Sequence, residues 1–319
     1  MRGISPLALP SPAGAARSSA HAQDRAVPAA FWLAALCIVL PLASGLDLET
    51  PLVTQAGMVL MLAGGLPHGG HDLLVARRLF RMHGPGLVLF VLAYMAAAGV
   101  MALAWWLMPL AAMLGFLALA AWHFSEDWQV PQDRLLRTAA GLAPIAAAVL
   151  GQPAAVSRLF ATMTDPGTGA LALALVTLVA PVALLVAAVA IAMAWQSGSP
   201  RWASAQGTAL ALLAVAPPTI AFPVYFALLH SRRHVIAILD AFGTAGIGHA
   251  HPRVAATTLA LIACAAWALL SPRFVDLVHG IDPALAFQLL SVVAVPHLIF
   301  DAIGMKFRPA RGDAVPVDA

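Results

Sequence analysis

Charged side chains are scarce in this sequence. They make up 10% of its 319 residues, and lysine occurs once, as Lys306. A soluble domain of this length carries roughly a quarter charged residues, and a nucleic-acid-binding surface needs a clustered basic face. The net charge of +3 comes instead from arginines in loops and tails. The composition therefore excludes a soluble globular domain and predicts no nucleic-acid partner.

Cysteine is nearly absent, and so are the motifs of several enzyme classes. Cys37 and Cys264 both lie inside apolar runs, so no disulfide framework is expected. The sequence contains no P-loop, no Cys-x-x-Cys, no Gly-x-Ser-x-Gly, and no Gly-x-Gly-x-x-Gly after a strand-like run. These absences argue against nucleotide-dependent, dithiol and serine-hydrolase chemistry.

Apolar residues are abundant instead, at 61% of the chain, and the mean hydropathy is +0.89. Runs long enough for a helix to cross a bilayer, about 20 residues each, recur along the sequence. We therefore predict an all-α fold, a polytopic transmembrane helical bundle with about eight to ten membrane segments. The runs cover about 29–46, 51–67, 86–105, 107–124, 137–156, 168–195, 204–234, 254–270 and 284–305.

Prolines interrupt several of these runs. Pro144 lies in a short run that either crosses or re-enters the membrane, and Pro181 is expected to kink the long run after it. Pro217, Pro218 and Pro223 break the backbone hydrogen bonding of a run that ends in two histidines. Such a break is tolerated at membrane depth only where protein or a cavity covers it.

The apolar runs together define one domain. Residues 29–306 are predicted to form a single transmembrane catalytic domain in the cell (inner) membrane. A disordered lead is predicted at 1–28, which is rich in Ala, Ser and Pro, and a polar tail at 307–319.

The distribution of arginines gives a partial topology. Arg77 and Arg78 predict a cytoplasmic second loop, but Arg232 and Arg233 conflict with a simple alternation of the runs. For the histidine-bearing runs to meet, two arrangements stay open. Either the run containing Pro144 is re-entrant, or the histidines lie well inside the bilayer.

Two histidines four residues apart close the run at 204–234. In a helix, His230 and His234 lie on one face about one turn apart, close enough to hold a single metal ion. The plain alternative is a polar turn at headgroup level.

Three further histidines have an aspartate four residues on: His68 with Asp72, His123 with Asp127, and His297 with Asp301. Ionisable side chains are costly in a membrane, so repeated pairs at one spacing indicate a buried functional site. A ligating imidazole usually gives its second N–H to a carboxylate, and we predict this supporting role for the aspartates. An all-imidazole set of ligands suits Fe(II), Cu or Zn without choosing among them. The alternatives are a capped loop at the first pair and an interfacial aromatic belt at the second.

Four segments, in this order, resemble the motifs of the Brp/Blh family of bacterial and archaeal β-carotene dioxygenases. They are Gly65-Leu-Pro-His68-Gly-Gly-His-Asp72, Trp122-His123-Phe-Ser-Glu-Asp127, His230-Ser-Arg-Arg-His234 and Pro296-His297-Leu-Ile-Phe-Asp301. The resemblance covers roughly residues 60–305. It implies an integral membrane, non-haem iron enzyme that uses O2 to cleave β-carotene at its central 15,15′ double bond into two molecules of all-trans-retinal. The retinal would supply a rhodopsin.

The resemblance also assigns roles to residues. The family's ligands to Fe(2+) fall on His68, His123, His230 and His234. His297 and Asp301 match a family motif and are expected to support the ligands, as are Asp72, Asp127 and Asp301 from their spacing. Because β-carotene is wholly apolar and dissolves in the bilayer, we expect it to reach the iron from lipid through an apolar tunnel. Candidate lining residues are Trp122, Phe124, Tyr225, Phe226 and Phe300.

Two other functions stay open. A membrane desaturase or hydroxylase would act on another lipid, but such enzymes need several histidine boxes, and this chain has one His-x-x-x-His and no His-x-x-His-His. A proton-coupled transporter would use intramembrane His and Asp as relays. Such folds usually show an inverted repeat of whole segments, which the short repeated motifs do not establish.

Overall fold

The structure is a computed structural model, and it describes residues 27–78, 80–128, 133–242 and 280–304. It describes the backbone alone at 65–68, 74, 78, 237–242 and 304. The predicted lead at 1–28 and the predicted run at 254–270 lie wholly or mostly outside the described residues, as does the tail at 307–319.

Every regular element in the described part of the chain is a helix, which confirms the predicted all-α class. Two of the elements are not α-helices: a 3₁₀ turn at Ser125–Asp127 and a π-helical turn at Phe226–His230. We number the others α1 (Ala29–Ala43), α2 (Pro51–Gly69), α3 (Asp72–Arg78), α4 (Pro85–Leu107), α5 (Pro109–Phe124), α6 (Arg134–Gly141), α7 (Ala143–Gly151), α8 (Pro153–Met163), α9 (Pro166–Gln196), α10 (Pro200–Val215), α11 (Pro218–Tyr225), α12 (Ser231–Phe242) and α13 (Pro283–Gly304).

Prolines account for many of these boundaries. Pro85, Pro109, Pro153 and Pro166 each stand at the first position of a helix, where the missing N–H has no intrahelical partner to lose. Within the longest helix, Pro181 removes one backbone hydrogen bond without ending the helix. The break predicted before the paired histidines is confirmed, because the run at 204–234 is divided among α10, α11, the π turn and α12.

Four helical stretches in the described residues are long and apolar enough to cross a membrane: Pro85–Leu107, Arg134–Gly151, Pro166–Gln196 and Pro283–Ile303. Shorter apolar helices lie at Ala29–Ala43 and Pro51–Gly64. Together they bear out a transmembrane bundle, while the count of about eight to ten segments stays a prediction.

The membrane helices differ in how much of their surface faces outward. Most side chains of α4 point away from the bundle, including Leu89 and Val100, and few of its residues are buried. Helix α13 is the opposite case, since nearly three quarters of its apolar window, 72%, is buried. We therefore regard α13 as the central helix of the described bundle.

Helix α2 lies unusually close to the segment that carries the paired histidines. A side chain at Gly57 would collide with the Thr219 carbonyl oxygen, and one at Gly64 would collide with Ala227. Glycine at both positions lets the two backbones approach directly. These contacts fix α11 and the π turn against α2, and the contact at Ala227 lies three residues before His230.

Candidate metal centre

Four histidines from separate parts of the chain meet in the interior of the bundle. His123 comes from the end of α5, His230 from the π turn, His234 from α12, and His297 from α13. The ring centroid of His123 lies 4.8 Å from that of His230, 5.3 Å from that of His234 and 5.0 Å from that of His297. All four side chains are buried.

Three of these histidines form a compact set of nitrogen donors. One ring nitrogen each from His123, His234 and His297 lies within 4.8 Å of the other two, which is a spacing that could hold a metal ion. A second such set joins His123 to the carboxylates of Glu126 and Asp301. Imidazole and carboxylate groups at this spacing are suitable ligands for a transition metal.

Carboxylates on α3 and α13 hold two of the histidine rings. The Nδ1–H of His297 donates to both carboxylate oxygens of Asp72, at 2.9 Å each. The Nδ1–H of His123 donates to Asp301 Oδ2 at 3.2 Å. Asp72 also accepts a hydrogen bond from the Tyr94 hydroxyl at 3.2 Å. These bonds fix both ring orientations through helices remote in sequence.

The other two rings face carboxylates of the 3₁₀ turn at Ser125–Asp127. The Nδ1–H of His230 donates to Asp127 Oδ2 at 2.9 Å. Nδ1 of His234 lies 3.7 Å from Glu126 Oε2, an ion-pair distance longer than a hydrogen bond. One short turn therefore supports both members of the His-x-x-x-His pair.

The pairing crosses between motifs. The aspartate four residues after His123 bonds to His230, and the aspartate four residues after His297 bonds to His123. Asp72 likewise bonds to His297. The repeated spacing thus identified members of the site, and the partners come from different helices.

Asp127 is the most heavily bonded carboxylate in the described site. It accepts from His230, from the Tyr225 hydroxyl at 3.1 Å and from Arg233 Nη1 at 3.0 Å. The Arg233 guanidinium also lies 4.9 Å from the ring centre of Trp202, a cation–π distance. A buried carboxylate with this many donors is held ionised and in one orientation.

Sequence reasoning missed the roles of several residues. Arg233 conflicts with the positive-inside rule when read as a loop charge, yet it is buried and paired with Asp127. Glu126 and Tyr94 were also unassigned. The signal for Glu126 was its place beside Asp127 in an otherwise apolar region, while nothing in the spacing pointed to Tyr94.

His68 was predicted as a ligand, and its side chain lies outside the described atoms. Its backbone belongs to the last turn of α2, next to Gly69. At Gly69 a side chain would meet the Tyr94 hydroxyl oxygen at 3.1 Å and His297 Cβ at 3.6 Å. The end of α2 is therefore beside the histidine cluster, and the role of His68 stays a prediction.

A cavity of about 110 Å³, partly open to the outside of the bundle, adjoins the histidines. His123 and His297 line one part of it, and nearly all of the remaining lining is apolar. Among the predicted tunnel residues, Phe124 and Phe226 line this cavity.

Trp122, Tyr225 and Phe300 are not among the residues that line this cavity in the described part of the chain. The Tyr225 hydroxyl bonds to Asp127, and Phe300 packs on Phe90 with ring centroids 4.9 Å apart. Tyr225 and Phe300 therefore contact other side chains of the bundle and do not line the cavity.

A helical membrane bundle with converging buried histidines defines a class of protein: an integral membrane protein with a site suited to a transition metal, beside a space suited to an apolar molecule. Comparison with known proteins gives the family. A family model described as beta-carotene 15,15'-dioxygenase matches residues 59–303. The chain belongs to the β-carotene 15,15′-dioxygenase family and is an enzyme of that kind. No curated protein and no solved structure matches it.

Proposed function

We propose that this protein cleaves β-carotene with O2 at the central 15,15′ double bond, giving two molecules of all-trans-retinal, at a non-haem Fe(II) held by histidines. The observation that supports it best is the buried cluster of His123, His230, His234 and His297 beside an apolar cavity. The family supplies the substrate class, and the cluster supplies a place for the metal.

The residues present fit a transition metal. Each of the four imidazoles turns Nδ1 toward a carboxylate, the arrangement by which proteins orient a ligating histidine and present Nε2 to a metal. Zinc has no redox chemistry, and Mg²⁺ or Ca²⁺ would prefer oxygen ligands. Imidazole suits the redox metals iron and copper alike, and the family resemblance favours iron for the proposed reaction with O2.

We assign His297 to the ligands and not to the supporting groups. His297 shares the compact donor set with His123 and His234, and it has its own carboxylate, Asp72, on Nδ1. His230 lies next to His123 and completes the set. His68, the ligand expected from the resemblance, stays a predicted ligand at the adjoining end of α2.

Bound Fe(II) would supply the redox chemistry that lets O2 react with a carbon–carbon double bond. The chain's own groups hold the protons and the substrate. Asp72, Asp127 and Asp301 accept from Nδ1–H of their imidazole partners, which holds each ring in one orientation and one tautomer. Phe124 and Phe226 line the cavity where it adjoins the cluster and exclude water there.

Arg233 sets the charge beside the metal site. Its bond to Asp127 offsets one of several carboxylates close to the imidazoles. Two charges buried together in this way cost less than one buried alone. The site then keeps a carboxylate that accepts from His230 without carrying an isolated negative charge into the membrane.

The substrate fixes the expected location. β-Carotene is apolar and partitions into lipid, so we propose that the enzyme is a multi-pass protein of the cell (inner) membrane and takes its substrate from the bilayer. Retinal is also apolar, and a membrane rhodopsin is the proposed user. The outward-facing apolar side chains of α4 and α9 suit contact with lipid tails.

Expression in cells that make β-carotene tests the proposal. We expect loss of the orange colour and formation of retinal, and iron in the purified protein. His123→Ala should lose both the retinal and the iron while staying in the membrane. A desaturase or hydroxylase of another lipid would leave the carotenoid unchanged, and a transporter would contain no metal; either result overturns the proposal.

A further inference from the structure

Helix α5 lines the cavity along one face, starting from the metal centre. The lining positions on this face are His123, Ala120, Phe116 and Met113. The first and last of them are ten positions apart on one helix. At 1.5 Å per residue this face runs roughly 15 Å from the histidine cluster.

Helix α13 lines the same cavity with the same spacing. Its lining positions include His297, Ala294, Leu290 and Phe287, which repeat the offsets of three, seven and ten residues found on α5. The two faces therefore run side by side from two histidines of the same cluster. Each measures about 15 Å along its helix, so the cavity has one polar end and one distant apolar end.

Helix α8 closes the distant end. Val156, Phe160 and Met163 line the cavity and are buried within the described structure. The position of α8 along the cavity is set by a hydrogen bond from Gln288 Nε2 to the Met163 carbonyl oxygen, at 2.8 Å and buried. Gln288 follows Phe287 directly, so α8 meets α13 where the lining face of α13 ends.

Further hydrogen bonds fix this closure. The Ser291 hydroxyl donates to the Gln288 carbonyl oxygen at 2.6 Å. Trp105 Nε1–H donates to the Ser291 hydroxyl oxygen at 2.7 Å. The contact joins α4, α13 and α8 in apolar surroundings, where an isolated polar group would be costly. Three helices therefore hold the end wall at a fixed distance from the histidines.

We propose that this wall is a stop that selects which double bond of the substrate is cut. The inference rests on the proposed function. One end of the β-carotene rod would abut Phe160 and Met163, and roughly 15 Å of cavity, on the order of half the extended rod, would bring its central double bond to the histidines.

The cleavage reaction balances in the same way at whichever double bond of the rod is cut. One carbon–carbon double bond breaks, each of its two carbons gains one oxygen, and one O2 is the oxidant consumed per pair of aldehydes. Two equal aldehydes result only when the central bond is presented. A shifted rod gives one carbonyl product longer and one shorter than retinal by the same number of carbons, and a cleaved carbon that bears a methyl group becomes a ketone.

Phe160→Ala tests the stop. Removing the ring lets the rod slide deeper, so we expect carbonyl products of unequal length to appear beside retinal, with their ratio to retinal raised at least about tenfold. Gln288→Leu should raise the same ratio, because it frees α8 from α13. Product lengths are read by chromatography and mass spectrometry after expression in β-carotene-producing cells.

The matched control is Phe31→Ala. Phe31 is fully buried on α1, outside this cavity, so its loss creates a comparable void without touching the stop. Retinal should remain its only cleavage product. Because the readout is a ratio of products, a lower amount of folded protein does not change it.

The outcomes separate the two proposals. If the unaltered chain makes no retinal, the proposed function fails. If the unaltered chain makes retinal and both Phe160→Ala and Gln288→Leu still make only retinal, the stop is wrong. Should Phe160→Ala be missing from the membrane fraction, Phe160→Leu takes its place in the same comparison, and an unchanged ratio there overturns the stop.

Discussion

The two ends of the cavity are held by different forces. At the histidine end, positions depend on directional bonds, such as those from His230 and Arg233 to Asp127. At the far end the positions of the side chains depend mainly on packing, together with the hydrogen bonds of Gln288, Ser291 and Trp105. A directional bond is either made or lost, whereas packing weakens by degrees. Substitutions should therefore act sharply at one end and gradually at the other.

Metal removal is the largest expected effect. Treating the purified enzyme with a chelator should abolish retinal formation, because the polar end has no chemistry of its own without a redox metal. Fe(II) should restore the activity and Zn(II) should not, since zinc has no redox chemistry. Retinal is measured by absorbance after extraction. Restoration by zinc would contradict the assignment of iron.

Loss of a ligand should come next. His297→Ala removes one of three closely spaced donors, so we expect iron content and retinal formation to fall by more than roughly 100-fold, beyond the effect of losing a supporting group. His68→Ala should lower iron content and retinal formation by as much if His68 is a ligand, as predicted. His83→Ala, in the loop before α4, is the control and should keep full activity. An active His297→Ala enzyme would return that residue to a supporting role.

Loss of a supporting carboxylate should be intermediate. Asp127→Asn cannot pair with Arg233, and iron affinity should fall about 10- to 100-fold. The unpaired buried arginine should lower the free energy of unfolding by about 3–5 kcal/mol. Metal analysis and thermal unfolding in detergent measure the two effects. Asp47→Asn, at an exposed position, is the control; equal behaviour of the two variants would remove Asp127 from the site.

The smallest effect is expected where a helix is held far from the chemistry. Gln55 Nε2 donates to the Ile281 carbonyl oxygen at 2.9 Å, and the Ile281 N–H donates to Gln55 Oε1 at 2.7 Å, just before α13 begins. Gln55→Leu should lower the free energy of unfolding by about 1–3 kcal/mol for these two bonds. Retinal formation should change little, because Asp301 and Gln288 still hold α13. Gln196→Leu, on an exposed helix end, is the thermal-unfolding control.

The fold class was predictable because it depends on composition. With 61% apolar residues in long runs, helices are the spanning elements that satisfy their own backbone hydrogen bonds. Pro85, Pro109 and Pro166 stand at helix starts for a local reason, because the missing N–H has no intrahelical partner to lose there. The π turn at Phe226–His230 was not predictable, since no residue type encodes one extra residue in a helical turn.

The candidate site was predictable in its members and not in its pairing. His-x-x-x-His and the three His-x-x-x-Asp pairs stand out because charged groups are rare in this chain. Their partners depend on how helices pack, which spacing within one helix does not specify. Tyr94 gave no signal for the same reason, since it lies on α4 among apolar residues and meets Asp72 only in the folded bundle.

The bonds of His123 to Asp301 and of His297 to Asp72 join residues 178 and 225 positions apart. Both bonds use α13, which is made after every other described helix. Before α13 is made, the chain has three of the four imidazoles and three of the four carboxylates that face them, so it cannot close the cluster. Both groups of side chains that could hold a metal ion include a residue of α13, so the growing chain completes neither group until that helix has been made.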